Sequence, residues 1–475
     1  MTSSDGQPPT IVRELARLGI GCRDDQVLPA RLVIVASNHV RDTLGVALAS
    51  SGEWPDDPVT ALVQGWGGEG RSSAIGRPGR HPMGNAALIG GTFAHAIDFD
   101  DTHLPSVLHP SAAVIPAALA CAEAAGADGP TFLAAVAFGV EVCCRLGMAG
   151  YDRELGNSIF FEHGLHATAI CGAVGAAGAA AIALGLGESE VAEALSIATS
   201  LGSGILEANR TGGMVKRVHC GWASHAGVTA AELAGAGLTG APTAIEGRFG
   251  FLRAFCGEAA DVEAVTRGLG SQWELGSVHV KPYPTNHFTH SGIDAALALR
   301  ERGVTSSDID RVEIGLPTAV LRTVAEPPEL KIRPGSGYAA RFSSPFTFAA
   351  ALRGGGGLGL FLDDLTDERV TDPTTLELAT KVTCVANERC DQIFPEHFPA
   401  IVTVELHGAG TERIEVLENR GSPARPLTDE ESETKFRACA GRVLNRGDAD
   451  ELDQALNTLD RLRNVDALAG LVSVA

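Results

Sequence analysis

The chain has 475 residues, 45% hydrophobic and 20% charged, which suits a soluble globular protein of two or three domains with a large core. A formal charge of −21 argues against nucleic acid and anionic membranes as partners, because binding either depends on Lys and Arg. The ten cysteines are scattered without a C-x-x-C spacing, no secretory signal opens the chain, and the apolar runs are broken by polar residues. Buried thiols in a reducing cytoplasm are therefore expected, and structural zinc, iron–sulfur clusters, export and membrane spanning are not.

Apolar spacing near 3.6 predicts helices over residues 11–18, 28–50, 83–100, 112–125, 129–146, 165–186, 188–201 and 223–236. Only 5% of residues are aromatic, whereas Ala and the 57 Gly are abundant, so these helices pack closely on small side chains. The texture changes near Ser271. Short alternating runs at 277–281, 311–315, 381–385, 400–406 and 413–416 read as strands, with helices at 289–302 and 345–352 between them. After Pro423 the chain is helical again, at 429–444 and 451–471. The expected fold is mostly α with a smaller α+β domain: a helical domain over 1–274, an α+β lid over 275–422, and C-terminal helices over 423–475 that return to the first domain.

The stretch from His95 to Ser111 concentrates chemistry: His95-Ala-Ile-Asp-Phe-Asp-Asp-Thr102, then His109-Pro-Ser111. Read as a helix ending near Leu104-Pro105, it places His95, Asp98 and Thr102 on one face, with a hairpin returning His109 and Ser111 as an N-cap. Three carboxylates and several imidazoles between apolar runs are costly to bury unless paired. His166 opens a small-residue helix. Lys216, Arg217 and His219 follow the hinge Gly212-Gly213, placed to meet a carboxylate where a helix also offers free N–H groups. Lys281 and Tyr283 lie in a stiff double-proline turn between a strand and a helix, where Lys281 can be held over an interdomain crevice.

These motifs, together with Lys216-x-x-His219-x-Gly221, Lys281-x-Tyr283-Pro and Phe342-Ser-Ser-Pro345, resemble in order those of the MmgE/PrpD family. Members include 2-methylcitrate dehydratase, cis-aconitate decarboxylase and iminodisuccinate epimerase. The resemblance implies a homodimer with a metal-free, cofactor-free active site between a helical domain and its lid, taking a small polycarboxylate substrate. It carries over Asp98, Thr102, His109, His166, Lys216 and Lys281 as catalytic residues, with Arg217, His219, Tyr283, Tyr338 and Phe346 as substrate contacts. Where the family usually has Phe-Ser-x-Pro-Tyr, this chain has Phe346, so a phenol is lost and Tyr338 is the nearby candidate to replace it. One carbanion next to a carboxylate serves three outcomes. Dehydration of a 2-methylcitrate-like acid comes first by family frequency. Decarboxylation of a cis-aconitate-like acid and epimerisation of an iminodisuccinate-like acid follow, and a polycarboxylate-binding dimer that has lost catalysis is the alternative of another class.

Overall fold

Small side chains decide how the first part of the chain packs. The computed structural model describes residues 9–25, 27–154, 156–408 and 410–474. It separates into one unit of Met1–Val278 with Phe436–Ala475 and a second of His279–Lys435, so the junctions fall later than residues 275 and 423.

In the first unit the helices are α1 (Ile11–Asp24), α2 (Ala30–Glu53), α3 (Pro58–Trp66), α4 (Met83–His95), α5 (Ser111–Ala125), α6 (Gly129–Ala149), α7 (Ile159–Glu162), α8 (Ala167–Ala183), α9 (Glu188–Thr199), α10 (Glu207–Thr211) and α11 (Lys216–Gly235). Every residue of α8 is buried, because Ala and Gly on all its sides let α5, α6, α9 and α11 approach it together. Helix starts follow side-chain chemistry: the Asp57 and Asp128 carboxylates accept from the third residues of α3 and α6, each with a proline in the first turn. The 21-residue α6 is apolar and long enough to cross a membrane, but it lies inside this unit. Its buried Arg145 is matched by Glu141 at 2.6 Å and by the carbonyls of Val265, Arg267 and Gln272.

One crossing sets the geometry of the site. A Cβ on Gly221 of α11 would lie 2.2 Å from Thr92 Oγ1 and 2.3 Å from the Leu88 carbonyl oxygen of α4, so only glycine permits this approach. The C-terminus of α4, at His95, and the N-terminus of α11, at Lys216, belong to this closely packed pair. The C-terminal segment is part of the same core: Phe436, Leu452, Leu456 and Leu468 are buried in it, and Arg41 of α2 pairs with Asp453.

In the second unit a four-stranded sheet has the order β4-β3-β1-β2, with β1 Ile309–Leu316, β2 Val382–Ala386, β3 Ala400–Leu406 and β4 Gly410–Val416. The β4/β3 and β3/β1 pairs are antiparallel and β1/β2 is parallel. Alternating residues Val312, Ile314, Val402 and Val404 share one core with Ile293 and Leu299 of the helix His290–Glu301 and with Phe346 and Phe348 of the helix Ser344–Arg353.

Four local expectations are corrected. The helix beginning at Met83 ends at His95, not near Leu104; Asp98 then adopts φ +56°, a left-handed conformation that short polar side chains tolerate. Ser111 is the first residue of α5 and not its cap; the Asp101 carboxylate accepts its backbone N–H at 3.3 Å. Helix α11 starts at Lys216, seven residues before the expected 223, and runs through Gly221, where it meets α4 closely. The tail expected as one helix over 451–471 is two, Arg446–Asn457 and Asp466–Leu471, with a 3-10 turn at Leu459–Arg461.

Candidate active site

With α4 ending at His95, the next fifteen residues fold back as a loop whose carboxylates tie down imidazoles. Asp100 accepts from His95 Nδ1 at 2.6 Å, and Asp101 Oδ2 lies 2.8 Å from Nδ1 of His39, a buried residue of α2. The backbone carbonyl of Asp101 lies 2.6 Å from His109 Nδ1. A carbonyl only accepts, so His109 carries its proton on Nδ1. Thr168 Oγ1 accepts the His109 backbone N–H at 3.2 Å, and Thr102 Oγ1 is 3.4 Å from His109 Nδ1. Behind the loop, His103 joins Ser106 at 2.6 Å and Glu274 at 3.3 Å; this hydrogen bond holds the Glu274 carboxyl below its ordinary range.

Four imidazoles form a continuous series. The His109 and His95 ring centroids are 5.5 Å apart, His95 and His166 5.3 Å, and His166 and His219 5.0 Å. His166 is the residue before α8, and its N–H is fixed on the Gly204 carbonyl at 3.0 Å. Its Nδ1 lies 3.0 Å from His219 Nδ1, so one of these nitrogens donates and the other accepts. Burial pushes His166 well below an ordinary imidazole, helped by electrostatic coupling to the neighbouring imidazoles and by the positive charge of Lys216. His219 is lowered to about 4 by burial and by the charges of His95 and Lys216. Both are therefore neutral near pH 7, beside a half-buried lysine at the N-terminus of α11. Arg217, next to it, places its guanidinium 5.1 Å from the Trp54 ring centroid.

The structure thus brings His109, Thr102, His166, Lys216 and His219 together in the first unit, with Asp98 in the same loop. Lys281, Tyr283, Tyr338 and Phe346 belong to the second unit. There Lys281 is 1% exposed, at the start of a buried segment that includes His287 and His290, whose rings are 4.6 Å apart. Two of the expected substrate contacts are core residues. Tyr283 is fully buried and donates its hydroxyl to Asp294 at 2.7 Å, while Asp294 also accepts from the Arg420 backbone and from Arg425. Burial and the Asp294 charge push its phenol well up, so it stays neutral. Phe346 packs among the apolar residues of the sheet and helices, with its N–H capped by Ser343 Oγ at 3.0 Å. Tyr338 is 42% exposed, with its ring 5.4 Å from Phe342. His95, His39, Asp100 and Asp101 were absent from the expected site. The signal for His95 and the two aspartates was their place in the His95–Thr102 motif; nothing in the sequence marked His39. Among the described residues no three His, Cys, Asp or Glu side chains are arranged as a metal-ligand set.

Family comparison matches residues 24–263 to the MmgE/PrpD N-terminal domain and residues 283–461 to the MmgE/PrpD C-terminal domain. The cis-aconitate decarboxylase-like protein oryM of Aspergillus oryzae is 27% identical, covering 100% of this chain and 99% of its own length. The cis-aconitate decarboxylase of Aspergillus terreus is 29% identical over 82% of this chain and 81% of its own, and that of Mus musculus 28% identical over 91% and 87%. Matched in order by both domains, this chain belongs to the MmgE/PrpD family.

Proposed function

We propose that this protein is a lyase that removes CO₂ from a cis-aconitate-like unsaturated polycarboxylate without a cofactor. The observation that carries the reading is the series His109, His95, His166 and His219, the last three buried, beside Lys216. Relatives named as cis-aconitate decarboxylases support decarboxylation ahead of the dehydration that the sequence alone put first.

The chemistry follows from charge. A cation and a carboxylate 4 Å apart at an effective dielectric near 20 attract by about 4 kcal/mol before desolvation, so Lys216 offsets the repulsion a polyanion meets from a chain of net charge −21. When a carboxylate leaves from the carbon next to a C=C bond, its electron pair spreads through that bond to the remaining carboxylate. The resulting dienolate is stabilised by fixed cations in a dry site. Protonation of its far carbon by an imidazole completes the reaction, net loss of CO₂ for one proton gained. Neutral His166 and His219 donate and accept hydrogen bonds without adding charge that would trap the substrate.

Incubation with cis-aconitate, 2-methylcitrate, citrate and iminodisuccinate tests this. CO₂ from cis-aconitate is expected. An unsaturated acid from 2-methylcitrate without CO₂ would restore dehydration, and a change in optical rotation of iminodisuccinate alone would point to epimerisation. A raised melting temperature without any turnover would leave a binding protein.

A further inference from the structure

His95 sits in this series with its outer ring nitrogen buried. Its side chain is buried, Nδ1 is held by Asp100 at 2.6 Å, and among the described residues Nε2 has no hydrogen-bond partner. A buried ring nitrogen left unsatisfied is destabilising, so such atoms in native folds call for an explanation. Its surroundings supply one. The ring stands between His109 at 5.5 Å and His166 at 5.3 Å, two positions that the family resemblance matches to the active site. On its other side the ring is held by the buried Asp100 carboxylate through Nδ1, which fixes where Nε2 is presented.

We propose that His95 is a further catalytic residue, its Nε2 touching the substrate and delivering the proton to the carbanion, with Asp100 as the positioning residue that holds its ring. The proposal rests on the lyase reading above. As CO₂ leaves, the C–C electron pair enters the dienolate. The Nε2–H bond of His95 then breaks as the new C–H bond forms, leaving neutral His95 with Nδ1–H on Asp100, and a proton from water restores it. His109, His166, His219 and Lys216 surround this step; Asp100 lies 3.9 Å from His109 Nδ1, so its hydrogen bond goes to His95.

The test compares wild type with His95→Gln and Asp100→Asn, using cis-aconitate for turnover and tricarballylate, a saturated tricarboxylate, for binding. For His95→Gln the expected result is a kcat lower by roughly 10²–10⁴-fold, a melting temperature close to wild type, and loss of the alkaline limb of the kcat profile. Asp100→Asn should lower kcat while moving that limb to lower pH, which a purely structural role would not do. If His95→Gln fails to fold, ¹⁵N-histidine NMR of the wild type replaces it, and tricarballylate should shift the His95 Nε2 signal. A His95→Gln enzyme within twofold of wild-type kcat, or an Nε2 signal unmoved by bound tricarballylate, overturns the proposal while the lyase reading stands. A wild type that neither turns over nor binds any of these acids rejects the lyase reading and the role of His95 with it.

Discussion

Replacing Gly221 by alanine adds one methyl at the closest approach of α4 and α11. Built on the present backbone, that carbon sits 2.2 Å from Thr92 Oγ1, 2.3 Å from the Leu88 carbonyl oxygen and 2.9 Å from the Thr92 nitrogen. Two of these atoms are backbone, so rotating a side chain gives no relief. An ordinary carbon–oxygen contact is about 3.4 Å, and the helices must therefore part by about 1 Å, at a cost of about 1–3 kcal/mol or more for overpacking. Better helix propensity returns at most about 1 kcal/mol. Parting the helices also displaces His95, which ends α4, from His219 near the start of α11, and a displacement of that size lowers kcat by roughly 10²-fold. Gly65 in α3 is the control, since a Cβ there meets nothing within 4 Å, and Gly65→Ala should stabilise slightly with unchanged turnover. Thermal melts and steady-state kinetics on both variants decide the matter. A Gly221→Ala protein with wild-type melting temperature and kcat would show that this crossing does not set the site.

Lys216→Ala should lower kcat/KM by roughly 30- to 1,000-fold, the equivalent of about 2–4 kcal/mol for losing one partner of a buried charge pair. Lys281→Ala measured beside it shows whether the second lysine shares that role, and full activity would remove it. His109→Asn keeps a donor for the Asp101 carbonyl but lacks the outer nitrogen, so it should hold its melting temperature and lose roughly 10²–10⁴-fold in kcat; an active His109→Asn would refute the assigned tautomer. Acid should weaken the first unit through His219: with a folded value of about 4 against 6.5, the unfolded chain binds the extra proton, so stability is full above 6.5 and falls as pH drops towards 4, by at most about 3 kcal/mol. Buried Glu123 and Glu141, raised by desolvation, act in the opposite sense, so the readout is the difference between wild type and His219→Gln in melts from pH 7 to 4.5. Parallel curves for the two proteins would contradict the depressed imidazole.

What the sequence makes legible here depends on how local the cause is. The strand Ala400–Leu406 alternates apolar and polar residues, and the helix Ala167–Ala183 is built from small side chains, so each is read within three residues of its observed limits. The end of α4 is not local. A helical projection groups His95, Asp98 and Thr102 on one face, yet the same groups meet because Asp98 turns left-handed and the loop doubles back, a path decided by the partners its carboxylates find. One partner, His39, lies on another helix, and no motif announces it. Gly221 illustrates the opposite error: read alone it interrupts a helix, whereas against Leu88 and Thr92 it is the reason the helix runs through. The family motif likewise marks which residues gather, but not which of their atoms are already committed. Tyr283 matches it and spends its hydroxyl on Asp294; His95 matches it too and keeps a nitrogen in hand. A ring nitrogen's commitment is a property of the folded contact set. For that reason the hydrogen-bond commitments of His95, His109 and His166 had to wait for coordinates, while the clustering of imidazoles in the motifs did not.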